Sequence, residues 1–321
     1  MKPFVILGAS KTGTSTAVAS ANSHPSVFCF FEGDFSRSAD HGRNSELAAL
    51  LPGASILCDS GKTFAECLSH LDKDLRANGW TFDRLGTKIQ GIRPDVLPRL
   101  GNACVLFMVR DVRLWAVKNR VIRDVMTART ATNVVPFLVG YARYFLDSFL
   151  IENCLRLPLD RVLSTDMSVL PAAMSKLLGL PQAGFERWWQ KAPTWKGIAP
   201  KNYSTWTEGH TSAFLPPLLA DTNSHLAPHP FWDVFLPVFD KYFLRPDMSY
   251  GRSEILRDQK TLDEIARYHA MTLNEGFARF ESFKIRNLTK LPDGKLNLEA
   301  TDRVTESEIE AAADRWAPEQ T

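Results

Sequence analysis

The chain has 321 residues, 45% of them hydrophobic and 23% charged, an ordinary globular mix that excludes disorder, collagen and coiled coil as descriptions of the whole. That length suits one large domain or two small ones. The 38 Lys and Arg against 36 Asp and Glu leave a net charge of +2, too little for a protein that coats nucleic acid, though not for a local site that takes a small anion.

In chain order, Phe4-Val5-Ile6-Leu7 is β-branched and aromatic, runs into Gly8, and is followed by residues 14–22, rich in small side chains that suit helix packing. The reading is strand, loop, helix. Residues 87–89 predict a short strand and 94–100 a short helix. Cys104–Val109 is apolar without polar alternation, as in a strand buried on both faces at the centre of a parallel sheet. Leu114, Val117, Val121 and Val125 then recur at helical spacing. Residues 134–155 predict a long helix entering a strand at 161–163, and 165–180 a helix stopped by Gly179 and Pro181. Residues 182–230 look loop-like and residues 231–243 like an aromatic helix. The tail, 246–321, is more charged, and Leu262, Ile265, Ala266, His269, Leu273 and Phe277 outline one amphipathic helix in it.

Strands alternating with helices predict an α/β architecture, a central parallel sheet flanked by helices, spanning residues 1–245. A helical extension, 246–321, frays at its acidic end. Ligands of such sheets sit at the carboxyl ends of the strands, where residues 10–16 and 110–113 both fall. Cys29, Cys58, Cys67, Cys104 and Cys154 are odd in number and contain no C-x-x-C pair, which predicts free thiols in a reducing compartment. The longest apolar runs are strand-sized, so no transmembrane anchor is expected and the location reads as cytoplasmic.

The most informative segment is Gly8-Ala9-Ser10-Lys11-Thr12-Gly13-Thr14-Ser15-Thr16. Small residues between a strand and a helix let backbone N–H groups converge on an oxyanion. Against the nucleoside-triphosphate pattern G-x-x-x-x-G-K-[ST], Gly8, Gly13 and Ser15 fit, but Thr14 stands where the lysine belongs. A lysine lies instead inside the loop, at Lys11. The plainer reading is a Gly/Ser turn that only caps a helix.

Residues 4–28, FVILGASKTGTSTAVASANSHPSVF, resemble the opening of the sulfotransferases that use 3′-phosphoadenosine 5′-phosphosulfate (PAPS). Lys11-Thr12-Gly13-Thr14-Ser15 and His24-Pro25 match the family's pattern, with Ser10 where proline is common. Residues 106–113 resemble the family's second element, R-[DN]-P-x-[DE], with Val112 for proline and Lys118 where a serine is usual. Gly86-Thr87-Lys88 and residues 162–180 are weaker matches in the right order, and the likeness covers residues 4 to about 245.

The resemblance implies a P-loop sulfotransferase fold and transfer of a sulfuryl group from PAPS to a hydroxyl or amine of a small-molecule, lipid or glycan acceptor. It releases 3′-phosphoadenosine 5′-phosphate (PAP) and needs no metal. Lys11 and the backbone of Thr12, Gly13, Thr14, Ser15 and Thr16 would hold the 5′-phosphate side. Arg110 and Lys118 would grip the 3′-phosphate, and Lys201, in a late basic loop, would close over the nucleotide. Glu32 is the expected general base, with Asp34 and His41 as competitors and His24 a distant fourth. For Arg110 the bland alternative is a surface ion pair with Asp111 or Asp124. Trp188, Trp189, Trp195 and Trp206 read as core, or as stacking faces for adenine or a sugar. The aromatic run at 231–243 reads as buried, or as a face for a hydrophobic acceptor or a membrane surface. Two rivals stand: a P-loop kinase using ATP and magnesium, and a non-catalytic nucleotide-binding protein with a degenerate site. Nucleic acid is not an expected partner, and nothing in the sequence speaks to oligomeric state.

Overall fold

A computed structural model describes residues 2–31, 45–52, 61–90, 94–112, 115, 134–162, 168–186 and 230–264. Five strands, β1 (Phe4–Gly8), β2 (Val27–Phe31), β3 (Arg84–Gln90), β4 (Cys104–Val109) and β5 (Cys154–Pro158), form one parallel sheet in the order β2-β3-β1-β4-β5. The helices are α1 (Thr14–Ser23), α2 (Ser45–Leu50), α3 (Phe64–Ala77), α4 (Val134–Asp147), α5 (Leu159–Val162), α6 (Val169–Leu178), α7 (Pro230–Leu244) and α8, residues 252–264.

Successive side chains of a strand point to opposite faces, so each central strand feeds two cores. On one face Phe4, Ile6, Leu106 and Met108 meet Ala17, Val18 and Ala21 of α1 and Leu170, Met174 and Leu178 of α6. On the other, Val5, Leu7, Val105 and Phe107 meet Leu138, Ala142 and Phe145 of α4 and Phe235 and Phe239 of α7. Phe28, Phe30 and Leu85 cover the β2–β3 side against Leu68, Leu71 and Leu75 of α3. The result is three layers, helices on both faces of a parallel sheet.

Ile255 and Leu262 of α8 are fully buried in the same core as α4 and α7. Around them Lys241 Nζ meets Glu254 and Asp258, each at 2.7 Å, and Arg143 meets Asp263 at 2.9 Å. Among the described residues no helix is long and apolar enough to cross a membrane.

Several expectations need correction. β2, α2 and α3 are additions, and β3 is longer than residues 87–89. The helix predicted to run from 134 to 155 ends at Asp147 and yields to a 3-10 turn, Ser148–Leu150, before β5. The strand expected at 161–163 is thereby displaced to Cys154–Pro158, and Arg161 and Val162 belong to α5. The cause is that β5 is an edge strand, half-buried along its first three residues, with Arg156 laid over the Phe149 ring at 3.9 Å. Its composition therefore lacks a core strand's apolar run, and its terminal proline is tolerated at an edge. Cys67 is in a disulfide, whereas Cys29, Cys104 and Cys154 are free, so the expectation of five free thiols fails at Cys67. The segment Gln182–Phe185 forms a short 3-10 turn, and Gly179, with φ 64°, ends α6 as expected.

Candidate functional site

β1 and β4 are neighbours, yet the chain leaves β1 toward β2 on one side of the sheet and leaves β4 toward β5 on the other. Diverging connections open a crevice at the carboxyl ends of the two strands, the usual ligand position in open α/β sheets. The loop of residues 9–13 and the turn at Arg110 and Asp111 line that crevice.

The loop is built on two glycines. A Cβ on Gly8 would lie 2.5 Å from Thr12 Oγ1 and 2.7 Å from Met108 O. Gly13 adopts φ 93°, and a Cβ there would lie 2.5 Å from Leu159 Cδ1. Lys11 also sits in the left-handed region, at φ 69°, which costs a non-glycine residue about 1–2 kcal/mol and persists only where neighbours impose it. They do so through three successive carbonyls. Thr12 donates from Oγ1 to Ala9 O at 2.8 Å, Trp115 from Nε1 to Ser10 O at 2.8 Å, and Arg110 from Nη1 to Lys11 O at 3.4 Å.

With the loop carbonyls drawn into the fold, α1 opens on N–H groups that no side chain caps. Its N-cap is Gly13, without a side-chain bond, and its first turn holds no acid. Ser15 is half-buried, and its Oγ lies 3.5 Å from Nζ of Lys88. Lys88 is only 1% exposed, on β3, and its ammonium stands 3.8 Å from the centre of the Phe31 ring. A buried ammonium is costly, and an aromatic face offsets part of that cost. Lys11 is exposed at the mouth.

Arg110 is 8% exposed, and its Nε is buried without a hydrogen-bond partner. Burial pulls its pKa below the ordinary arginine value, against the opposing pull of Asp160. An orphaned buried N–H costs about 1–3 kcal/mol, which an oxyanion in the crevice would recover. Asp160, on α5, has its pKa raised by burial, partly offset by the N–H of Asp111, which donates to Oδ2 at 3.3 Å. This end of the sheet thus gathers two buried cations, an exposed one and an uncapped helix terminus, with Asp160 and Asp111 acting on Arg110, and such a set can receive an anion.

Of the residues the sequence singled out, Lys11, Gly13, Thr14, Ser15 and Arg110 lie together at this end of the sheet. Thr12 turns both its N–H and its hydroxyl back to Ala9 O, at 3.3 and 2.8 Å, and so shapes the loop. Thr14 and Thr16 are in the first turn but 3% and 4% exposed. His24 is at the far end of α1, about 15 Å along a helix of this length, packed on Phe185 at 4.7 Å, and burial lowers its pKa. It has no part in this crevice. Glu32, Asp34, His41, Lys118, Lys201 and the tryptophans at 188, 189, 195 and 206 lie outside the described residues.

Sequence reasoning passed over Lys88 as a ligand, noting it only as part of a step before a strand. Its signal was a lysine flanked by Thr87 and Ile89 in an otherwise strand-forming segment. Trp115, Tyr141 and Asp160 were missed altogether. Among the described residues no cluster of three or more His, Cys, Asp or Glu is placed to hold a metal ion. The sequence matches no protein-family model, and no characterised protein is significantly similar to it.

Proposed function

We propose that this chain is a PAPS-dependent sulfotransferase, with the sheet as the frame of a P-loop sulfotransferase fold. The observation that carries the reading is the Lys88 ammonium against Ser15 Oγ. In a nucleoside-triphosphate loop the hydroxyl at this position holds magnesium, and the residue before it is a lysine on the β- and γ-phosphates. Here the residue before is Thr14, and a fixed monovalent cation faces the hydroxyl. A divalent ion at Ser15 would meet like charge in a poorly solvated place. A donor with a single 5′-phosphosulfate suits that arrangement, and ATP with magnesium does not.

In the reaction the acceptor's oxygen or nitrogen attacks the sulfur of PAPS in line. The bond from sulfur to the bridging oxygen of the 5′-phosphate breaks, PAP departs with the electron pair, and the acceptor's proton passes to a base, for which Glu32 is the proposed residue. Charge builds on the leaving phosphate, so positive groups fixed there before the reaction lower the barrier. The N–H groups of α1, Lys11 and Lys88 supply them. Arg110 selects the donor by its 3′-phosphate, with Lys118 proposed beside it and Lys201 closing the nucleotide side. The acceptor is a hydroxyl or amine of a carbohydrate, lipid or small molecule.

Thermal unfolding tests the reading. PAP at about 100 times its dissociation constant should add about 2.7 kcal/mol of stability, in the presence of chelator, and Arg110→Ala should lose most of it. Lys11→Ala should fold normally and lower turnover by about 10²–10³ if its charge acts on the leaving phosphate. Stabilisation by ATP with magnesium alone would move the protein to the kinases. Indifference to both would leave a degenerate site.

A further inference from the structure

The backbone around Arg110 is held by side chains from two other elements. Tyr141, on α4, accepts from Arg110 N–H and donates to Arg110 O, both at 2.8 Å. Asp160, on α5, accepts the next N–H, that of Asp111, at 3.3 Å. Three consecutive backbone polar groups are therefore satisfied from outside the turn. The guanidinium makes one long contact of its own, from Nη1 to Lys11 O at 3.4 Å, and its Nε is left unpartnered in the crevice.

Tyr141 also reaches the other loop. Its ring, 1% exposed, stacks on Trp115 with centroids 3.9 Å apart and planes 15° from parallel. Trp115 in turn donates to Ser10 O. One tyrosine thus ties the turn after β4 to the loop after β1, although Ser10, Trp115 and Tyr141 are distant in sequence. Leu159, the residue before Asp160, is the side chain that bars a Cβ at Gly13, so the β5–α5 junction abuts both loops as well.

We propose that Tyr141 and Asp160 are positioning residues that hold Arg110 in the geometry needed to read a second phosphate on the bound nucleotide, and that Tyr141 makes the two anion-binding loops one rigid unit. Fixing the arginine in advance removes an ordering cost that binding would otherwise bear. The proposal rests on the donor reading above, because it assigns Arg110 to the 3′-phosphate.

The test is the ratio of dissociation constants for AMP and PAP, measured calorimetrically, since the two differ by the 3′-phosphate. Tyr141→Phe keeps the ring on Trp115 and removes only the hydroxyl. It should weaken PAP by about tenfold, the scale of one or two lost hydrogen bonds, and leave AMP nearly unchanged. Asp160→Ala should act in the same direction, and Asp160→Asn, which keeps an acceptor oxygen for the Asp111 N–H, should restore the ratio. A Tyr141→Phe protein that still prefers PAP as strongly as the wild type, or that loses both nucleotides equally, overturns the proposal while the donor reading survives. If Asp160→Asn behaves as Asp160→Ala, its charge and not its backbone bond is what matters, and the Asp160 half is overturned. A wild type without preference for PAP ends both the reading and the proposal.

Discussion

Two helices of this molecule begin in opposite ways. α3 opens on Thr63, whose side chain accepts from Glu66 N–H, while Glu66 reaches back to the N–H of Thr63 at 2.8 Å. That capping box supplies a carboxylate to the positive end of the helix. α1 opens on Gly13, with no side-chain cap and no acid in its first turn, and is faced by the buried ammonium of Lys88. Both helices start with the same unsatisfied N–H groups. The α3 terminus is complete as folded, and the α1 terminus has positive charge added to it. That difference, more than the glycine pattern, is what the donor reading draws on at α1.

The sharpest way to break the comparison is to give α1 what α3 has. Ser15→Asp places a carboxylate in the first turn of α1 beside Lys88. It should stabilise the nucleotide-free protein by about 1 kcal/mol, a rise of a few degrees in Tm. The same charge should weaken PAP by about 100-fold or more, because like charges in a desolvated site cost several kcal/mol. Calorimetric titration and a melting curve on one sample decide it. A variant that melts higher and still binds PAP normally would show that the anion does not sit at this terminus.

Lys88→Met is the next in size. It removes the charge and keeps the bulk and much of the packing on Phe31. Loss of a charge-assisted contact predicts PAP binding weaker by about 10- to 100-fold. Unchanged PAP affinity in this variant would remove the observation on which the donor reading rests.

Thr63→Ala strips the cap from α3 and should cost about 1 kcal/mol, read as a lower urea midpoint with an unchanged slope. PAP affinity should be untouched. A loss of affinity would mean that the two termini are coupled through the sheet and do not differ for the reason given.

The parts that could be read locally were those whose chemistry is local. β1, its glycine loop and α1 are contiguous and β4 is one unbroken run, and their apolar runs or small residues are what a buried parallel strand and a buried helix require. β3 escaped in part because Arg84-Leu85-Gly86-Thr87-Lys88 looks polar. Its glycine is demanded by the Phe4 ring, against which a Cβ would collide, and its lysine lies against Ser15 Oγ and the Phe31 ring. Neither cause lies nearby in the sequence. The same holds for Trp115, Tyr141 and Asp160, which act on Ser10, Arg110 and Asp111 from distant elements. Thr12 shows the reverse limit: the motif marks the loop and does not say that this hydroxyl braces the turn through Ala9 O.

The smallest expected effect concerns the acids that brace the second loop and α8. Burial raises the pKa of Asp160 and of Asp147, the latter partly relieved by a 2.6 Å bond from Gln259. The folded state therefore holds these protons more tightly than the unfolded chain does. Between the unfolded value, about 3.9, and the raised folded values, the folded state binds more protons, so stability falls as pH rises through that window and recovers toward its acidic end. Asp160→Asn cannot ionise and should flatten this slope, with Asp147→Asn acting independently at its own site. Urea midpoints of the three proteins from about pH 4 to pH 7 test it. A slope as steep in Asp160→Asn as in the wild type would show that Asp160 titrates normally, and that the carboxylate beside Arg110 is stabilised by the site's positive charge more than it is penalised by its burial.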